Sequence, residues 1–239
     1  MSRALLIAAT IAAPAAVLLC APLLGSSPLD LGRALGGIGD PGCSDARVLF
    51  DIRVPRVLAG LLVGGCLSLA GAALQALTRN GLASEYTLGV AGGAALGAVT
   101  ALRLGLAGSV LGLPFSSVAA LAGAGLVAVV VLGWARRASL DPGGLLLAGV
   151  TVGLLCSAGI LLVQYVSDAT QSHLVVRWLM GGLDVVGYGS ILGVLPFAVS
   201  GVLLVGLHAA ELNQILQGDE VAEARGVTVR AVRPAVLAG

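Results

Sequence analysis

Apolar residues run along this chain in blocks of about 20, broken by short polar stretches, which is the pattern of helices that cross a bilayer. A helix rises 1.5 Å per residue, so about 20 residues cover the ~30 Å apolar core of a membrane. On that ruler six spans are predicted, near 4–24, 57–78, 87–107, 115–134, 145–166 and 190–209, and a seventh opens near 231. The expected fold class is all-α: a polytopic transmembrane helical bundle forming one domain over 1–239. Between 87 and 134 only Arg103, Pro114 and a few glycines separate the spans. Met1-Ser2-Arg3 ahead of the first apolar run has the look of a signal peptide's charged start. That run extends over 4–24, however, longer than the ~7–15 residues usual for a signal core, and further spans follow it. It is read as the first membrane helix. The closing residues 231–239, AVRPAVLAG, are too few to cross, so a fragment or a truncated reading frame is expected.

Composition sharpens this. Hydrophobic residues make up 58% and charged residues 10%, with a mean hydropathy of +1.04. A soluble domain carries about 25% charged residues, so too little polar surface remains to coat a water-facing globule, and membrane lipid is the expected surrounding. The 36 glycines would weaken soluble helices, but in lipid small residues let helix backbones approach closely. Gly60/Gly64, Gly89/Gly93/Gly97 and Gly149/Gly153 have that spacing and are read as packing contacts. All 13 basic residues are arginine, which points to a GC-rich bacterial genome. A net charge of +1 offers no electrostatic case for nucleic acid. Cys20, Cys66 and Cys156 lie in apolar runs and Cys43 in a polar loop, with no spacing that suggests a metal or cofactor.

With the N-terminus inside, Arg3, Arg79, Arg136, Arg137, Arg225, Arg230 and Arg233 fall on the inner face. Arg33, Arg47, Arg53, Arg56, Arg103 and Arg177 then fall on the outer one. The positive-inside rule therefore decides little, although Arg3 and the Arg136-Arg137 pair lean towards a cytoplasmic N-terminus. The most charged window, 211–228 (ELNQILQGDEVAEARGVT), is the best functional lead. Gly218 is expected to end a first short helix, Asp219 to cap a second over Glu220 to Arg225, and Gly226 to close it. Such short helices need packing to persist; Val221, Ala222 and Ala224 are the candidate docking face. A charged loop solvating a turn is the plain alternative.

The stretch Arg53–Leu96 contains R-x-P-R at Arg53–Arg56, G-A-x-x-Q at Gly71–Gln75 and R-N-x-L-A-x-x-x-x-L-G-V at Arg79–Val90, followed by a small-residue helix. LLLAGV follows at Leu145–Val150, RWLMGGL at Arg177–Leu183 and LNQILQGDEVAEARGV at Leu212–Val227. This ordered set strongly resembles the FecCD family, the permease subunits of ATP-binding-cassette (ABC) importers for ferric siderophores, haem and cobalamin. The resemblance covers nearly everything after Leu49. It implies about ten helices in a complete permease that works as a pair with a second, identical or different, permease subunit, so roughly the last three are expected to lie beyond this chain.

The resemblance also implies site roles. Arg53 and Arg56 would dock an extracytoplasmic substrate-binding protein through its acidic residues; anchoring a helix end at the headgroups is the alternative. The segment 211–228 would be the cytoplasmic coupling segment seated on an ABC ATPase subunit, with Leu212, Asp219, Glu220, Ala222, Arg225 and Gly226 as its coupling residues. Asn80, Leu82, Leu140 and Asp141 would lie in turns that gate the pathway on the inner side, although Asp141-Pro142 departs from the common family spelling. Gln164 would face the translocation path. Within the spans, Ser68, Gln75, Ser157 and Gln164 are otherwise read as hydrogen-bonding a neighbouring helix.

A chain without lysine has no GxxxxGK[ST] phosphate loop, so ATP hydrolysis is expected on a separate subunit and the chain is not read as an enzyme. An ion-coupled transporter would usually keep an acid within the membrane, and the predicted spans hold none at their middles. An intramembrane serine protease would need a base facing a nucleophile, whereas His173 lies in a loop and His208 at a span's end. The expected function is import of an iron(III)–siderophore complex across a bacterial cytoplasmic membrane, with cobalamin or haem carried by the same machinery as the alternative.

Overall fold

The computed structural model describes residues 3–25, 27–38, 40, 42–110, 112–137, 141–183 and 187–237. Its long helices are α1 (Arg3–Cys20), α4 (Val54–Thr78), α5 (Val90–Arg103), α6 (Phe115–Arg137), α7 (Pro142–Tyr165) and α9 (Gly189–Leu207). Shorter ones are α2 (Leu31–Gly36), α3 (Ser44–Arg47), α8 (Ala169–Leu179), α10 (Ala209–Ile215), α11 (Asp219–Ala224) and α12 (Val229–Leu237). Among the described residues, four helical stretches suffice by length and composition to cross a membrane: Ser44–Thr78, Phe115–Ala135, Pro142–Tyr165 and Gly189–Leu207. Ala8–Leu23 and Val90–Arg103 are apolar but shorter. The all-α bundle expected from the apolar pattern is therefore present, with one small addition. Ser109–Val110 and Leu113–Pro114 pair as an antiparallel ribbon, reversing the chain between α5 and α6 over Gly108 and Gly112, both with positive φ.

The chain divides into two compact units, residues 1–65 with 183–195 and residues 66–182 with 196–239. In the first, the stretch expected to be a polar loop up to residue 56 is largely helical. Asp30 caps α2, its Oδ1 accepting from the amides of Gly32 and Arg33 at 2.9 and 3.2 Å. Helical backbone then runs unbroken from Ser44 into α4 through a π-type stretch, Val48–Arg53. Pro55 lies at the start of α4, and a proline has no N–H to give the carbonyl four residues back. That carbonyl, Asp51 O, accepts instead from Gly187 N at 2.6 Å.

In the second unit, α5 packs on α6 and α7 through glycine. A Cβ added at Gly93 would lie 2.7 Å from Gly123 O, and one at Gly89 would lie 2.5 Å from Gly149 O. Backbones this close exclude larger residues, as the small-residue spacing predicts. Gly89 also takes a left-handed φ of 73° ahead of α5, which is why the span expected over 87–107 begins as a helix only at Val90. The semi-polar stretch after α7 folds as a helix, α8, because Asp168 and Gln171 form a reciprocal capping box and Val175 is fully buried. Arg103 at the end of α5 donates to Val166 O (3.1 Å), and Gln171 Nε2 donates to Arg103 O (3.3 Å). Three hydroxyls within α5 and α7 turn to their own helix. Thr100, Thr151 and Ser157 each donate to the carbonyl four residues back.

Candidate coupling and docking sites

The segment after α9 is a pair of short helices, α10 and α11, set on one side against the end of α4 and against α12. Apolar residues recur so that each short helix buries one face. Leu212 and Ile215 of α10, Ala222 of α11, and Val227, Val229, Val232 and Val236 join Ala73, Ala76 and Leu77 of α4 in a single core cluster. Ile215 and Ala222 are completely buried. Burial of this kind supplies what helices of seven and six residues lack on their own. The opposite face stays open: Leu216 is 50% and Val221 40% exposed, and Glu220, Glu223, Ala224 and Arg225 are exposed beside them.

Gly226 closes α11 as expected. Its φ is +87°, and Gly226 N donates to Glu223 O (2.9 Å) while Val227 N donates to Ala222 O (3.0 Å), the two bonds of a Schellman motif. Asp219 differs from expectation. The N-cap of α11 is Gly218, with φ +124°, and Asp219 is the first helical residue. Its carboxylate is taken up by Arg233, whose Nη2 donates to Oδ2 at 2.9 Å and Oδ1 at 3.1 Å, and Arg79 Nη2 lies 3.9 Å from Oδ1. Of the six residues expected to couple, Glu220, Arg225 and Gly226 lie on the exposed face, Leu212 and Ala222 are core, and Asp219 is an internal ion-pair partner.

The turn after α4 is built from its own polar groups. Arg79 takes φ +51°. Asn80 Oδ1 accepts from Leu82 N (2.9 Å), its carbonyl accepts from Ala83 N (3.1 Å), and Gln75 Nε2 donates to Gly81 O (3.3 Å). Ser84 and Thr87 lock the next few residues, Ser84 N donating to Thr87 Oγ1 at 2.8 Å. Leu82 is left 84% exposed at the tip. Asp141 caps α7, its Oδ1 accepting from Gly144 N at 2.9 Å; Leu140 lies outside the described residues. Gln164 is half-buried near the end of α7. A shallow cavity of about 290 Å³ opens between the turn and α7, lined by Tyr86, Thr87, Gly92, Val150, Gly153, Leu154 and Ser157.

In the first unit the two R-x-P-R arginines part company. Arg53 Nη1 donates to Pro22 O (3.2 Å) and Leu23 O (3.4 Å), and Nη2 to the carbonyl and hydroxyl of Ser27. Its guanidinium thus ties the end of the first apolar run to the start of α4. Arg56 is exposed.

The profile of the FecCD transport family matches residues 10–239. The chain belongs to the FecCD family. Relatives within it include an uncharacterized ABC transporter permease protein, YvrB, of Bacillus subtilis, 37% identical over 84% of this chain and 58% of that protein. The vitamin B12 import system permease protein BtuC of Yersinia enterocolitica is 37% identical over 77% of this chain and 54% of its own length. The chain thus spans just over half the length of these curated relatives. A solved structure described as metal-chelate type, an ABC transporter in an inward-facing conformation, superimposes with a TM-score of 0.74. It is 25% identical, and the match covers 95% of this chain and 69% of that one.

In three places of this FecCD chain the tertiary partner escapes a reading of the sequence. Arg233 and Arg79 as partners of Asp219 lie 14 and 140 residues away along the chain, beyond any local periodicity. Gly123, which faces Gly93, lies four residues after Ala119, a small-xxx-small spacing that marks α6 as a packing helix without naming Gly93 as its partner. Pro55 does carry a signal, because a proline just inside a helix frees a carbonyl; what that carbonyl binds is a tertiary matter.

Proposed function

We propose that this chain is the membrane-spanning permease subunit of an ABC importer for a metal chelate, embedded as a multi-pass protein in a bacterial cytoplasmic membrane. The observation that carries this reading is the two-faced helix pair α10–α11. One face is welded into the core by Ile215 and Ala222, and the other offers Leu216, Glu220, Val221 and Arg225 to a partner. A separate ABC ATPase seated on that face would deliver the work of ATP hydrolysis, and this chain would catalyse nothing itself. A docked helix transmits force only if the partner's states contact it differently, and a rigid, core-anchored pair suits that need. The N-terminus is then cytoplasmic. Arg56 would meet an acidic extracytoplasmic binding protein, steering the encounter more than tightening it, and a second permease subunit would complete the pathway. Asn80, Leu82 and Asp141 would gate it from the inner side, and Gln164 would face it.

Among metal chelates, the relatives named for vitamin B12 import favour a cobalamin over the ferric siderophore expected from the sequence. The test is co-expression of the permease with the ATPase and binding protein of its own locus. Glu220→Arg with Arg225→Glu, both on the exposed face, should lower recovery of the ATPase with the permease while membrane insertion holds. Undiminished recovery would remove 212–227 from this role. Uptake of labelled cyanocobalamin against labelled ferric siderophore in cells carrying the whole system then separates the two cargoes.

A further inference from the structure

Asp219 sits where an acidic residue ordinarily serves its own helix, in the first turn, yet its carboxylate is engaged elsewhere. Arg233 of α12 grips both oxygens, and Arg79, from the other side, approaches Oδ1. Arg79 is the one non-glycine residue with a positive φ among the described residues, and it begins the turn that carries Asn80 and the exposed Leu82. Its guanidinium also lies alongside Gly218, Nη1 being 3.7 Å from where a Cβ at Gly218 would stand. The apolar cluster joins α11 to the body of α4 through Leu77, but it stops short of the turn: Arg79, Gly81 and Leu82 are exposed. The Arg79–Asp219 ion pair reaches from α11 beyond α4 into that turn.

We infer that Asp219 is a positioning residue that holds the turn Arg79–Leu82 to the helix pair, so that a displacement of α11 is delivered to the turn. This rests on the reading of α10–α11 as the face that receives a motor, and it adds the route by which movement leaves that face. Arg233 fixes the carboxylate's orientation through two bonds from one nitrogen, and Arg79 shares an oxygen with it. The three side chains keep between 26% and 38% of their surface exposed. The clamp is thus open to solvent and can be loosened without opening the core behind it.

The test is residue-resolved amide hydrogen exchange on the full chain in detergent micelles. In Asp219→Asn the amides of Leu82 and Ala83, held by Asn80, should exchange about fivefold faster, the factor set by about 1 kcal/mol. Asp219→Glu should restore the wild-type rate. Arg79→Gln leaves the Arg233–Asp219 pair in place and should speed the same two amides while Leu216 and Val227 keep their protection. That pattern separates loss of the tether from unfolding of the segment. Wild-type rates at Leu82 and Ala83 in both Asp219→Asn and Arg79→Gln would overturn the inference. Recovery of the ATPase with the wild-type chain is scored separately; its failure would count against the coupling reading and leave the exchange result standing.

Discussion

Two arginine-bearing regions hold this molecule in different ways. Around Arg53 the partners are neutral: the carbonyls of Pro22, Leu23 and Ser27 and one serine hydroxyl. Around Asp219 the partners are charged, and behind them lies an apolar cluster containing Ile215 and Ala222. A cation on main-chain carbonyls fixes the path of a segment that has little core of its own. A charge pair over a packed core adds orientation to a segment already held by burial. The difference teaches that arginine content alone does not mark a docking surface, because in each region the arginine that bonds within the chain has an exposed neighbour, Arg56 in one and Arg225 in the other.

The largest expected effect tests the core behind the clamp. Ile215→Ala should lower stability by about 2–5 kcal/mol, read as a fall in the melting temperature of the purified chain in detergent. A fall of less than 1 °C would mean that the cluster is not what holds the helix pair. Next comes Arg53→Gln, which removes charge-assisted donors and should cost about 1.5–3 kcal/mol on the same measurement. If Arg53→Gln proves harmless, the carbonyl tie is dispensable and the contrast between the regions collapses. Asp219→Asn should cost less, about 1 kcal/mol or below in global stability, as partly exposed ion pairs do; its effect should concentrate in the turn at Leu82. The smallest stability change is expected for Arg56→Glu, within about 0.5 kcal/mol, although capture of the loaded binding protein should fall measurably in a pull-down. Equal capture would leave Arg56 as a headgroup anchor. Set beside Arg53→Gln, this pair of variants separates the two arginines of a single motif.

Much of this was legible along the chain. Each apolar block became a helix, most near their predicted limits, although the block expected over 87–107 is helical only over Val90–Arg103, because Gly89 takes a left-handed conformation ahead of it. Gly226 was readable as a helix stop, since a glycine after two turns signals a left-handed residue. Gly89, Gly93 and Gly149 were readable as contact points, though not which helix each of them meets. What misled were residues with two plausible uses. Asp219 has the type and position of an N-cap, but a bidentate arginine is a stronger partner than an amide one turn away. Ala222, grouped with Val221 as docking surface, points inward, because a two-turn helix can bury only one side and Ala222 falls on the side of Leu212 and Ile215. Ser157 was open to a partner on another helix and found its own carbonyl at lower cost in geometry.

The sequence by itself determined that this is an all-α chain of apolar helices, several of membrane length, where most of them stop, and, through its ordered motifs, that it belongs with the FecCD family. Those properties follow from local physics: apolar length, proline and glycine at helix ends, and the spacing of small residues. Only the tertiary structure decided which arginine is tied and which is left exposed, that Asp219 serves Arg233 and Arg79 rather than its own helix, and which side of α10–α11 remains open. These depend on groups brought together from distant parts of the chain. An ion pair or a carbonyl bond forms with whatever donor the packing delivers, and no pattern of neighbours along the sequence names that donor in advance.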